Sequence, residues 1–314
     1  MSEAPTALPR VAIVLATYNG EDFIRPQLDS LLAQDYTDFV IVVRDDGSAD
    51  STPSIVQDYA RTHPGKFRLL ESFENLGAST SFSTLITYVL EHKESLGLEQ
   101  AYIMCCDQDD VWHPDKIGKS MQAMLALEGE HPYRACLVHS DLRVVDAQGR
   151  ELAPSFFAYQ GIRARKNSFA RMLVSNSVTG CTAVINEKLA QLASPIPAQA
   201  IMHDWWLALV TSSIGQVRPI AEALIDYRQH ENNTLGAKPL TSSGFSLRKL
   251  RKLNDPSFDA ITMALSTQAE TFAGRYHANL KNRDVFVLSF ALWMGSPYRW
   301  LRNLVLKGFL FLFS

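Results

Sequence analysis

The sequence predicts an α/β fold with a mostly parallel central sheet flanked by helices, on three observations. Apolar runs recur at residues 11–16, 39–43 and 101–106, with the length and composition of strands buried on both faces. Stretches of helical periodicity separate them. Each run ends in polar or small residues, as strands entering loops do.

The elements follow in order. "RVAIVLATYNG" gives a first strand over Val11 to Ala16 that breaks at Asn19-Gly20, and "FIRPQLDSLLAQ" gives a helix with Phe23, Ile24, Leu28, Leu31 and Leu32 on one face and Pro26 in its first turn. "DFVIVVRDDGSADST" is a second strand, Phe39 to Val43, ending in acids and a Gly-Ser turn, followed by a helix from about Thr52 to Thr62. "FRLLES" is a third strand, leading through "FENLGAST" into a helix over Ser81 to His92, and "AYIMCC" is a fourth, stopping at Asp107. Beyond the acids the pattern is mixed. "CLVHSDLRVVDAQGREL" reads as two strands joined by a turn, "SVTGCTAVINEKLA" as a strand running into a helix, "MHDWWLALVTSS" as a helix with a polar start, and "RPIAEALIDYRQHENNT" as a strand closing into a loop. "GAKPLTSSG", 236–244, is the linker candidate.

Composition bounds the function. The 314 residues, 46% hydrophobic and 20% charged, can bury a sizeable core, and a formal net charge of −3 gives no basic field for a nucleic-acid partner. Cys105, Cys106, Cys136 and Cys181 lack C-x-x-C spacing, so structural zinc is not expected; reduced thiols and a polar N-terminus without an apolar h-region lead us to expect a cytoplasmic location. Charge is uneven: from Phe245 on there are ten Lys/Arg against four Asp/Glu, about +6, leaving about −9 before it.

In a sheet of this kind ligands bind beyond the carboxyl ends of the strands. Four strand-end motifs converge there: Thr17-Tyr18-Asn19, Asp45-Asp46-Gly47-Ser48, Asn75-Leu76-Gly77 and Asp107-Gln108-Asp109-Asp110. The first turn lacks G-x-G-x-x-G, so the backbone cradle of a dinucleotide-binding dehydrogenase is missing. Two carboxylates one residue apart can instead ligate a hard divalent cation, Mg²⁺ or Mn²⁺, that bridges to substrate phosphates. A lone D-x-D is more often a solvated helix-capping turn; the three neighbouring motifs favour the cation.

"VAIVLATYNGEDFIRPQLDSLLAQ", "VVRDDGSADST", "ENLGAS" and "CDQDDVWHPDKI", in this order, resemble glycosyltransferase family 2 enzymes of the A-type (GT-A) fold, a Rossmann-like sheet between helices. "DQDDVWHPDK", "GCTAVIN", "HDWW" and "YRQHENNTLG" are further similar to a bacterial branch that includes rhamnosyltransferases of surface polysaccharide assembly. The resemblance covers roughly 9–238 and implies a transferase domain over 1–238, with a nucleotide-binding half about 9–115 and an acceptor half about 116–238, and a helical extension over 239–314.

The resemblance also implies roles. Thr17, Tyr18, Asn19 and Glu21 would lie along the nucleotide base, Asp46 would hydrogen-bond it, and Asn75 and Gly77 would let backbone approach the nucleoside. Asp107 and Gln108 belong to the nucleotide set, Asp107 and Asp109 to the metal set with His230, and Arg228 would meet the diphosphate. Asp204 would be the general base for the acceptor hydroxyl, although Asp at a helix start is equally a cap. His203 stands where relatives often carry Glu. Gly180 and Cys181 would border the acceptor pocket, with Cys181 as packing and not a nucleophile. One of Trp112, Trp205 and Trp206 is expected to touch the acceptor. The implied reaction is inverting, metal-dependent transfer from a nucleoside diphosphate sugar, dTDP-rhamnose by resemblance or a UDP-hexose, to a glycan or lipid-linked glycan. Its rivals are a non-catalytic nucleotide-sugar or glycan-binding module, and a nucleotidyltransferase or phosphatase using the same acids.

The tail carries a separate expectation. Residues 285–298 are uncharged but too short to span a bilayer, and "RWLRNLVLKGFLFLF" interleaves Arg299, Arg302 and Lys307 with large apolar residues. That pattern suits a helix on an anionic membrane surface, here the inner face of the cytoplasmic membrane, and equally a helix packed on the body or in a dimer.

Overall fold

A computed structural model describes residues 8–72, 74–164, 167–230 and 256–313. The expected linker at 236–244 and the loop after His230 lie outside the described residues.

The first half is a regular alternation: β1 (Val11–Thr17), α1 (Ile24–Leu32), β2 (Phe39–Asp45), α2 (Thr52–Thr62), β3 (Phe67–Leu70), α3 (Ala78–Glu91) and β4 (Tyr102–Cys106). These four strands lie side by side in the order β3-β2-β1-β4, all parallel. β1, β2 and β4 are buried along nearly their whole length, as the apolar runs required. Pairing of Thr17 with Asp45 and of Leu15 with Cys106 brings Tyr18, Asp46 and Asp107 to one edge.

The second half mixes directions. It comprises β5 (Val111–Trp112), α4 (Lys116–Glu130), β6 (Cys136–Asp146), β7 (Glu151–Ala153), α5 (Phe156–Gln160), α6 (Phe169–Met172), β8 (Val184–Ile185), α7 (Glu187–Ala193), α8 (His203–Ile214) and β9 (Gln216–Gln229). The sheet continues β4-β8-β6-β9-β5, with β7 on β6. The antiparallel ladders are two residue pairs each, whereas β6 and β9 pair in parallel from Cys136/Gln216 to Asp146/Gln229. β9 thereby ends beside the acid loop, with Asp226 opposite Val111.

The sheet separates two apolar cores. One, under α1 and α4, joins Ile13, Leu28, Ile41, Met104, Trp112 and Met121. The other, under α3, α7 and α8, also takes in α9 (Pro256–Tyr276), α10 (Asn282–Leu292) and α11 (Arg299–Phe313). Phe272 packs at 5.3 Å from Phe169 and 6.1 Å from Trp206, and the Tyr276 hydroxyl donates to Leu192 O at 2.6 Å. The tail therefore uses one face of its helices on the body. No helix among the described residues is long and apolar enough to cross a membrane.

Candidate active site

A cavity of about 650 Å³ opens at the carboxyl ends of β1, β2 and β4. Thr17, Tyr18, Asn19, Asp46, Asn75, Gly77, Asp107, Gln108, Asp109, Asp204 and His230 all line it, which brings together nearly every residue singled out from sequence. Glu21 and Arg228 are not among its lining residues.

Several of these side chains hold the loops in place. Thr17 Oγ1 donates to Asp45 Oδ1 at 2.8 Å, and Ser48 caps the same carboxylate while accepting from Asn19 N at 2.9 Å. Asn19 Oδ1 accepts from Ala49 N, and Glu21 Oε2 from Ser51 N. Asn19 and Glu21 thus staple the β1 loop to the β2 loop. Gln108 makes a two-way amide bridge with the Tyr18 backbone, both bonds at 2.9 Å, which commits its side chain to holding the β1 and β4 loops together.

Asp46 organises the third loop. It is buried, pairs with Arg44, and accepts from Leu76 N and Gly77 N at 2.8 Å and from Ser81 Oγ at 3.0 Å. Burial alone would raise its pKa, but these donors hold it below the ordinary carboxylate value, so it is an anionic acceptor on the cavity wall. Gly77 sits at φ 76°, where a side chain would be strained, and this bends the backbone into α3.

The acid loop is the electrostatic centre. Burial, and then the charges of Asp109 and Asp204, push Asp107 up to about 7. Asp110 is fully buried and likewise pushed up, by burial first and by Asp109 and Asp107; its Oδ1 accepts from Arg228 N while Oδ2 has no hydrogen-bond partner. Donor atoms of Asp107, Asp110 and Cys181 come within 4.8 Å of one another. Asp109 pairs instead with His230, Oδ2 to Nε2 at 2.9 Å, and His230 stacks on Phe23 at 4.4 Å. Crowded carboxylates, two of them driven towards protonation and one with an orphaned buried oxygen, fit a divalent cation. The chemistry of the set favours a hard, oxygen-preferring ion, because burial and the same acids push the Cys181 thiol well up and keep it protonated.

Arg228 reaches the backbone of this loop. Its Nε donates to Asp109 O at 3.0 Å and Nη1 to Ala147 O at 2.9 Å, so the guanidinium braces the loop that carries the acids. Lys116, unmarked in sequence, is fully buried behind the acids with its Nζ 3.4 Å from the Trp112 ring centroid. Burial drives it down to about 8, and the Asp110 charge opposes this.

Asp204 lies one residue inside α8, whose N-cap is Met202, so it is not the cap. Burial pushes its carboxyl up to about 6, against the Trp205 N–H that donates to it at 2.6 Å. An anion there sits at the positive end of a helix. Cys181 is buried beneath Gly180, which lines the cavity. Of the tryptophans, Trp112 and Trp206 are buried in the core, Trp205 is half-buried with Nε1 donating to Met172 O, and none of the three is among the lining residues of this cavity.

Residues 12–190 match the family model described as Glycosyl transferase family 2. The chain belongs to that family. It is 30% identical over 237 residues to the dTDP-rhamnosyl transferase RfbG of Shigella flexneri, covering 71% of this chain and 74% of that one. Mycobacterial relatives, 25% identical over 223 residues, are longer, and the match spans 59% of their length. Among solved structures, TarS 1-349 of S. aureus in complex with UDP-GlcNAc superposes with a TM-score of 0.55 at 15% identity, covering 91% of this chain and 71% of that one. The mannosyltransferase PcManGT of Pyrobaculum calidifontis, in complex with GDP-Man and Mn²⁺, gives 0.52 at 20% identity, covering 98% and 87%. The GT-A fold and a glycosyltransferase activity follow; the binding-module and nucleotidyltransferase rivals do not survive family membership.

Proposed function

We propose that this glycosyltransferase transfers rhamnose from dTDP-rhamnose, with inversion, to a glycan or lipid-linked glycan of bacterial surface polysaccharide. The observation that carries the reading is the single cavity shared by Asp46, Asn75 and Gly77, by Asp107 and Asp109, and by Asp204. Similarity to a dTDP-rhamnosyl transferase supports the donor.

In this reading Asp46 accepts an N–H of the base and the Thr17–Asn19 backbone borders it. Asp107 and Asp109, with His230 against Asp109, hold Mg²⁺ or Mn²⁺; Asp110 and Lys116 set the charge behind them. When bound, the cation supplies Lewis-acid stabilisation of the departing diphosphate. Asp204 takes the acceptor's hydroxyl proton as that oxygen bonds to the anomeric carbon, and the electron pair of the breaking C–O bond leaves with the diphosphate. A carboxyl raised towards 6 is a stronger base than an ordinary Asp yet still ionised at neutral pH. Arg228 positions the acid loop.

The C-terminal helices are read as the membrane-facing side. Trp300, Leu304, Lys307 and Phe311 form one exposed stripe of α11, opposite the buried Val305, Leu306 and Phe309. Phe286 and Trp293 are exposed on the adjoining segment, near Arg283. An aromatic face with basic residues suits an anionic bilayer at the cytoplasmic side, where a lipid-linked acceptor would lie.

The test is donor hydrolysis with Mn²⁺ or with EDTA, across dTDP-rhamnose, UDP-glucose and UDP-GlcNAc. Metal-dependent release of dTDP supports the reading; preferential release of UDP replaces the donor, and release unaffected by EDTA removes the cation.

A further inference from the structure

His203 is fully enclosed, 3% exposed, and neither ring nitrogen has a hydrogen-bond partner. Its ring stacks on Phe82 at 4.0 Å and 22°, so the faces are satisfied by packing and only the polar edges are left. A buried orphan nitrogen is costly unless something bound pairs with it. His139 offers the contrast: it too is buried with both nitrogens unpartnered, but it lies edge-on to Phe157 and does not line the cavity. His203 does line it, along with Phe82, Gly180 and Asp204. Gly180 is the residue that leaves His203 room, since a Cβ there would stand 2.7 Å from Nε2 and 3.5 Å from Asp204 Cβ.

We infer that His203 is a specificity-determining residue whose ring nitrogens hydrogen-bond hydroxyls of the sugar being transferred. The inference rests on the donor site proposed above and extends it to the sugar. A neutral imidazole offers one donor and one acceptor, the pair a sugar hydroxyl can answer. Burial holds the ring far below its ordinary pKa, at about 3, so it adds no charge. With Asp107, Asp109 and Asp204 around the same cavity, the ring selects an uncharged hydroxylated sugar over a uronic acid.

The test compares wild type with His203→Phe, which keeps the stack on Phe82 and removes both nitrogens, and with His203→Gln, which restores a donor and an acceptor. Binding of dTDP and turnover of dTDP-rhamnose are measured with Mn²⁺. The expected result for the Phe variant is unchanged dTDP affinity with kcat/KM for dTDP-rhamnose lowered about ten- to hundred-fold, partly recovered by Gln. Equal turnover by wild type and His203→Phe, or equal loss of affinity for dTDP and dTDP-rhamnose, overturns the inference, the second because the role is then structural. If His203→Phe does not fold, Gly180→Ala displaces the ring instead, and a folded Gly180→Ala enzyme with unchanged discrimination between dTDP and dTDP-rhamnose overturns it equally. Wild type that turns over neither dTDP-rhamnose nor UDP-glucose refutes the donor reading itself, before any variant is compared.

Discussion

Removing divalent cation should make the protein less stable as pH rises through the neutral range, and Asp107 should contribute a part that a single substitution can read. Its carboxyl titrates near 7 in the folded chain against an ordinary value of 3.8. An acid with a raised folded pKa keeps its proton longer when folded, so the folded state loses stability as pH climbs from about 4, and the loss is complete above about 7. Three pH units correspond to about 4 kcal/mol; Asp107 keeps an edge on the cavity, and solvent there reduces this to about 2 kcal/mol. For a chain of this length that is about 4 °C in Tm. Thermal unfolding in EDTA at pH 5 and pH 8, for wild type and Asp107→Asn, reads it directly. Wild type should lose about 3 °C more than the variant between the two pH values, because about two of the three pH units fall in that window, and Mn²⁺ should restore wild type at pH 8. Parallel pH dependence in the two proteins, with no response of wild type to Mn²⁺, would refute the view that crowded acids store an unmet charge.

Asp204→Asn should lower kcat by about 10² to 10⁴ while dTDP binding stays intact, and wild-type kcat/KM should fall as pH drops below about 6; a variant that binds dTDP normally and turns over at the wild-type rate removes Asp204 as base. Asp226 accepts from His113 Nε2 at 2.8 Å and from Arg143 Nε and Nη2 at 2.7 and 2.6 Å, and these partners hold its pKa at about 2 against the effect of burial. Asp226→Asn should therefore cost about 2 kcal/mol at neutral pH, with the difference from wild type disappearing between about pH 4 and 2 in urea titrations. Replacing Trp300 and Phe311 together by Ser should cut co-sedimentation with anionic liposomes and leave donor hydrolysis unchanged; a change of solution mass without any lipid effect would make the stripe a dimer face.

The sequence carried the order of elements because periodicity is local. β1, β2, β4 and α2 cover the residues that the apolar runs and the helical stretch from about Thr52 to Thr62 implied. It did not carry the order of strands in the second half, where two-residue β8 slips between β4 and β6, because that depends on pairings between distant segments. The site divides in the same way. Strand-end position brought Asp46, Asp107 and Asp109 together, and the first turn of α8 adds Asp204 to the same cavity. Which backbone groups a polar side chain also holds is decided by a rotamer and a nearby backbone N–H or C=O, so the bracing of loops by Asn19, Glu21, Gln108 and Arg228 was not legible in the sequence. Phe23 and Lys116 were invisible for the opposite reason, since helical spacing assigns one to a core face and ordinary lysine behaviour assigns the other to solvent.

The central claim is that the acids at the end of β4 collect a cation and the cation collects the diphosphate. Anomalous diffraction from crystals grown with dTDP and Mn²⁺ tests it most directly. The account predicts a manganese peak within coordination distance of an Asp107 or Asp109 carboxylate and of the diphosphate oxygens. Ordered dTDP in the cavity with no manganese at those carboxylates would contradict it.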